Sequence, residues 1–217
     1  MENMDYKVKK SETDFELTGE WNGSIWQTAG TIEVNNFRPE GSGHKPVTKA
    51  KLLYTAKYLY GIFNVHDQYV KCTHTGLNAP VYKDSCVEFF FVSNGTDKYF
   101  NFEFNCGGTV YCSYRKSKYE EAEYLTAEDY ASIDIYHSLP EKIEIEIDTP
   151  VDWILEFKIP IDLLKKYNPA IKLAPGSEWR GNFYKCGDET SHPHWASWAP
   201  IDRLNFHLPE CFGKVGF

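Results

Sequence analysis

Two glutamates, Glu88 and Glu103, are the residues of this chain best placed to do chemistry, because a β-hairpin would set their side chains opposite one another. The dense β-branched and aromatic runs 86–93 and 98–105 flank Asn94-Gly95-Thr96-Asp97, which has the composition of a tight turn. A turn centred on Gly95-Thr96 pairs Phe89 with Phe102 and Phe91 with Phe100, aromatic cross-strand pairs suited to a core. Alternate residues occupy the other face, where Phe90 meets Asn101 and Glu88 meets Glu103. Like charges directly opposite are destabilising, so such a pair calls for a bound ligand, a shared proton or water. A wet, functionless face is the bland alternative. On this register Phe89, Phe91, Phe100 and Phe102 are core, and Phe90 should matter clearly less to stability.

A third strand extends the polar face. Asn105-Cys106-Gly107-Gly108-Thr109 reads as a two-residue Gly-Gly hairpin turn with Cys106 opposite Thr109, which brings Cys112 beside Glu103 and Tyr114 beside Asn101. The expected patch is then Glu88, Glu103, Asn101 and Tyr114.

These hairpins need a frame, and the rest of the chain supplies the pattern for one. Short strands are expected at 51–55, 58–66, 86–93, 98–105, 109–116, 143–147, 153–159, 179–186, 194–199 and 213–217. Only 126–130 and 160–167 look helical, the second opened by Pro160 and closed before Asn168-Pro169. Many short strands with almost no helix imply an all-β fold, a single β-sandwich of two antiparallel sheets over residues 1–217. Trp26, Trp153, Trp179 and Trp198 sit in or beside strand patterns and are expected in the core.

Composition limits the partners. A net charge of −8, from 23 basic and 31 acidic residues, with no basic stripe, argues against nucleic acid and anionic membrane. The lysines of 7–10 and Lys165-Lys166 are short clusters expected to be solvated. No apolar run is long enough to span a bilayer, and the amino terminus lacks the apolar region of a signal peptide. The sequence as given reads as cytoplasmic, and as secreted if a leader was trimmed. Six cysteines form neither a zinc spacing nor a compact disulfide framework and are expected as free thiols. The segment from Cys186 to His194 holds metal-ligand residue types at no standard spacing, so no metal site is assigned.

Several of these segments together resemble carbohydrate-binding module family 9, sugar-binding modules attached to some xylanases and related in fold to DOMON-type sandwiches. YKDSCVEFFF at 82–91 followed by YFNFEFN at 99–105 resembles the family's Asp-Ser-Val-Glu strand and its hairpin partner, with Cys86 inserted. Residues 58–67, 153–160, 180–185 and 197–213 continue the likeness, which covers about 45–217. The resemblance implies non-catalytic binding of a mono- or oligosaccharide between two aromatic platforms, in the service of carbohydrate catabolism. Carried across, the strand glutamate is Glu88 and the platforms are Tyr82 and Phe206. Asn101 and Glu103 stand for hydroxyl-reading residues of the hairpin partner, and Lys185 for one on a later strand. His207 and Trp195 lie close by in sequence to the second platform. Calcium, held by some relatives, is the only cofactor that the resemblance points to.

Two other classes compete. Directly opposed Glu88 and Glu103 could satisfy the roughly 5 Å carboxylate separation of a retaining glycoside hydrolase. An interaction domain with no sugar function is the other. A haem-binding relative of this sandwich type would often use methionine as an axial ligand, and the only methionines are Met1 and Met4.

Overall fold

Strands whose two faces are both covered have no solvated side, and this is the condition of Cys86–Val92 and Tyr99–Asn105, where every residue is buried. The computed structural model describes residues 4–120 and 122–217. Its larger sheet runs Asp5–Lys7, Gly213–Gly216, Glu178–Cys186, Cys86–Val92, Tyr99–Asn105, Ser113–Arg115, Glu123–Tyr124. Val110–Tyr111, Trp195–Ser197 and Asn36–Phe37 join it off this path. A second sheet runs Asp134–His137, Val151–Pro160, Tyr58–Asp67, Val47–Tyr54, Lys9–Lys10, with Ile32–Glu33 beside Val47–Tyr54. The two sheets form the expected β-sandwich.

The core between them is aromatic. Phe91 stacks on Phe89 at 4.9 Å, Phe100 at 5.2 Å and Trp179 at 4.8 Å, and Phe104 meets Phe157 of the other sheet at 5.0 Å. Trp26, Trp153, Trp179 and Trp198 are all buried, as their strand contexts require. The short helices are Ala127–Ala131, whose Thr126 and Asp129 form a capping box, and Ile161–Tyr167 after Pro160.

Two features depart from the sequence reading. Residues 5–10 do not simply lie in solvent: Lys7, Lys9 and Lys10 are exposed, but Tyr6 and Val8 are buried and the backbone pairs with both sheets. Asp5–Lys7 runs parallel to Gly213–Gly216 and Lys9–Lys10 parallel to Val47–Tyr54, so each sheet carries one parallel pairing. The second departure is the third hairpin strand. The backbone joins Asn105 N–H to the Thr109 carbonyl across three residues, with Gly108 at φ 87°, the left-handed position that closes a three-residue hairpin loop. Tyr111 consequently pairs with Glu103 and Tyr114 with Phe100, one residue out from the two-residue Gly-Gly reading. A one-residue slip exchanges the faces. Cys112 and Tyr114 belong to the core, and Tyr111, Ser113 and Arg115 take the polar side.

Candidate functional site

The first hairpin keeps the expected register, with Glu88 opposite Glu103, Phe89 opposite Phe102, Phe90 opposite Asn101 and Phe91 opposite Phe100. Its polar face is the floor of a cavity of about 480 Å³, within the range of roughly 300–1,000 Å³ usual for small-molecule sites. Tyr82, Glu88, Asn101, Glu103, Phe206 and His207, six of the residues that the sequence pointed to, line it.

The floor is wired in one direction. Arg115 Nε donates to Ser113 Oγ at 2.7 Å, and Ser113 Oγ donates to Asn101 Oδ1 at 2.6 Å. With its oxygen so held, the Asn101 amide turns its Nδ2 to Glu103 Oε1 at 2.8 Å. Glu88 Oε1 accepts from the Cys186 thiol at 3.2 Å. That leaves Glu88 Oε2 and Glu103 Oε2, both buried and without a hydrogen-bond partner among the described residues. Buried polar atoms are normally satisfied, so two such atoms under one cavity call for a hydrogen-bonding partner or for protons held on the carboxyls themselves.

Burial disfavours the ionised forms here. It raises Glu88 well above the usual carboxylate range, helped by Cys186 and Glu103, and pushes Glu103 up to about 8 against the hydrogen bond from Asn101. Burial likewise raises Asp188, whose Oδ1 accepts from Trp195 Nε1 at 2.7 Å, and lowers His207 to about 3. His207 is thus a neutral ring, hydrogen-bonded through Nδ1 to the Tyr99 hydroxyl at 2.7 Å.

A pH dependence follows from Glu103. Between its ordinary value near 4.5 and about 8 the folded state holds a proton that the unfolded state releases, so stability must fall as pH rises through that window. The wild type should lose up to about 1.4 kcal/mol per pH unit relative to E103Q in denaturant titrations. Parallel pH profiles of the two proteins would contradict the buried-carboxyl assignment.

The walls are aromatic. Tyr82 stands on the short 3-10 helix Val81–Lys83 and is 40% exposed, and Phe206 stacks on Tyr184 at 4.0 Å while the Tyr184 hydroxyl donates to the Phe206 carbonyl at 3.0 Å. Trp195, Tyr111 and Tyr124 add further rings, and Lys118, Arg115 and Asp188 supply charge.

Lys185 is not among these residues. Its side chain points to the opposite side of Glu178–Cys186, where Nζ lies 3.2 Å from Asp67 Oδ2 and 2.8 Å from His194 Nε2. The neighbour one position on, Cys186, faces the cavity instead, so the resemblance placed its later-strand residue on a position that points away from the site. Phe90 is also corrected. It is 1% exposed and packs in a second small core with Val92, Tyr99, Tyr184, Ile201, Leu208 and Phe212, so the polar face is not a solvated one. Sequence reasoning missed Tyr111 and Arg115 through the hairpin slip. Asp188 was visible only as a ligand type within residues 186–194, a segment that splits here, Cys186 and Asp188 toward the cavity and His194 toward Lys185.

The residues do not fit calcium at either place where His, Cys and carboxylate groups converge among the described residues. Calcium takes six to eight oxygen ligands. Cys86, Glu88 and Cys186 offer mainly sulfur, and His44, Asp67 and His194 surround the Lys185 ammonium, which already supplies the positive charge.

Comparison with known proteins agrees with the geometry. The sequence model of carbohydrate-binding family 9 matches residues 5–217. A candidate carbohydrate-binding protein of Bacteroides uniformis ATCC 8492 shares 27% identity with a TM-score of 0.89, over 99% of each chain. A family 9 module from Caldicellulosiruptor kristjanssonii, solved with cellotriose, is 13% identical with a TM-score of 0.64, covering 98% of this chain and 93% of its own. The same module solved with glucose gives a TM-score of 0.62 at 13% identity, covering 97% and 94%. No curated protein matches. With its whole described sandwich inside that match, the chain belongs to carbohydrate-binding family 9.

Proposed function

We propose that the cavity holds one pyranose unit of a mono- or oligosaccharide, with Tyr82, Trp195 and Phe206 as apolar faces and Glu88, Asn101 and Glu103 reading hydroxyls, and that the chain leaves the glycosidic bond uncut. The observation that carries this is the pair of uncommitted buried oxygens, Glu88 Oε2 and Glu103 Oε2, on the floor of an aromatic-walled cavity. Sugar hydroxyls donate to such oxygens, and the C–H faces of the ring pack on aromatics while water is excluded. The solved relatives hold glucose and cellotriose, which supports a glucose-type ligand and a place in carbohydrate catabolism.

Burial that raises both glutamates weighs against a retaining hydrolase, which needs one of the pair ionised as nucleophile. Release of reducing ends from oligosaccharides, abolished in E88Q, would return the assignment to hydrolase.

A thermal-shift survey of mono- and disaccharides finds the ligand, since binding stabilises by RT ln(1 + [L]/Kd) and is visible even for millimolar binders at high concentration. Calorimetry then tests the site. E88Q exchanges one acceptor oxygen of the floor for an amide donor and should weaken binding at least several-fold, with thermal stability unchanged or slightly raised because a neutral amide replaces a buried ionisable group. Y82A, truncating a side chain that is 40% exposed, should weaken binding with little effect on folding. Unaltered affinity in both variants would put the ligand elsewhere on the sandwich.

A further inference from the structure

The two uncommitted oxygens have a chemical preference of their own. A hydroxyl brings one hydrogen and no charge, so a neutral sugar can donate to the floor but leaves any ionised carboxyl there without a countercharge. An ammonium brings three hydrogens and a positive charge. Placed between Glu88 Oε2 and Glu103 Oε2, it would donate to the floor and supply the countercharge that lets one of the two opposed carboxyls ionise.

The surrounding charge favours the same occupant. Three carboxylates line the cavity, Glu88, Glu103 and Asp188, against the two cations Arg115 and Lys118. Arg115 is committed to Ser113 Oγ and to the Tyr111 hydroxyl at 3.2 Å, so it and Lys118 act on Glu103 through their charge without a direct ion pair. His207, the remaining basic group, hydrogen-bonds to the Tyr99 hydroxyl at the side of the cavity. Neither Glu88 nor Glu103 has a basic side chain within salt-bridge distance among the described residues.

Resting on the sugar-binding reading above, we propose that the preferred ligand is an amino sugar, a pyranose whose protonated amine sits between the Glu88 and Glu103 carboxyl groups, one of them ionised and the other protonated. On binding, the glutamate pair gives up a proton to solvent and takes the ammonium in its place, so charge on the floor is conserved.

The test is a calorimetric comparison of matched pairs, glucose with glucosamine, galactose with galactosamine and mannose with mannosamine, at mildly acidic pH where the amine is charged. The amino member of at least one pair should bind ten-fold or more tighter than its parent, a gain of about 1.4 kcal/mol. N-acetylation, which removes the charge and keeps the nitrogen, should abolish the gain. Titration in buffers of different ionisation enthalpy should show proton release with the amine and none with the neutral sugar. In E103Q the ratio between amine and parent should fall toward one whatever the absolute affinities, a change that mere loosening of the pocket would not produce. Equal or weaker binding of the amine in every pair overturns the proposal and leaves the sugar reading standing. Absence of binding by all six sugars overturns the amino-sugar proposal, and absence of binding by cellotriose as well overturns the sugar reading.

Discussion

Lys185→Met should destabilise the protein by about 3–5 kcal/mol, because it leaves the Asp67 carboxylate buried without its countercharge. Both side chains of the pair are fully buried, 3.2 Å apart. Asp67 also accepts from His44 Nε2 at 2.7 Å and from Trp153 Nε1 at 3.3 Å. Although burial pushes Asp67 up, the nearby Lys185 charge and the His44 hydrogen bond win and hold it well below the usual range. His194 is a poor replacement for the lost charge, since burial, the largest influence on it, disfavours its protonated form even without Lys185. Removing both charges, in Asp67→Asn with Lys185→Met, should recover most of the loss, as well-packed neutral replacements of buried ion pairs usually do. Denaturant unfolding of the single and the double variant decides it: a single variant within about 1 kcal/mol of wild type would mean that the network is dispensable.

Phe91→Ala and Phe90→Ala form the second pair of large effects. Phe91 sits between Phe89, Phe100 and Trp179, and its loss should cost roughly 3–5 kcal/mol. Phe90 lies on the opposite face at 1% exposure, against the Tyr184 ring at 5.2 Å and the His207 ring at 5.2 Å. Its truncation should also approach 3 kcal/mol, softened because the hole adjoins the cavity and water can enter it. The two differ in binding. Phe91→Ala leaves the cavity floor in place and should keep ligand affinity in the folded protein, while Phe90→Ala enlarges the site and should lose it. Identical binding by both variants would show that Phe90 is core alone.

What the sequence disclosed and what it hid separate by range. The first hairpin was legible to the residue because Gly95, at φ 77°, fixes the turn and the phenylalanine alternation allows only one buried phase. The second was not, because Gly107-Gly108 fits both a two-residue and a three-residue loop, and only the pairing of Tyr111 with Glu103 discriminates them. Phe90 was misjudged since alternation cannot foresee Ile201, Leu208 and Phe212 folding over that face from over a hundred residues away. Lys185 shows the limit of carrying a position across from a resemblance: one step along a strand moves a side chain from the cavity to the other side of the sheet. The strands at 5–10 were hidden by their lysines, whose exposure is compatible with backbone pairing on either side.

That amino-terminal segment also sets the order in which the molecule can be completed. Asp5–Lys7 pairs with Gly213–Gly216, and the Met4 carbonyl accepts from Lys214 N–H, contacts that close nearly the entire chain into one loop. Closing so long a loop is slow, and Gly213–Gly216 is made only after the strands it has to join. Until residues 213–216 emerge, the first strand has no partner in its sheet, and the neighbouring edge of Glu178–Cys186 stays open to pairing with other chains. A seam between the two distant strands therefore stays open late in folding, and conditions that delay its closure should first be felt as aggregation during production, before any loss of binding in the folded protein.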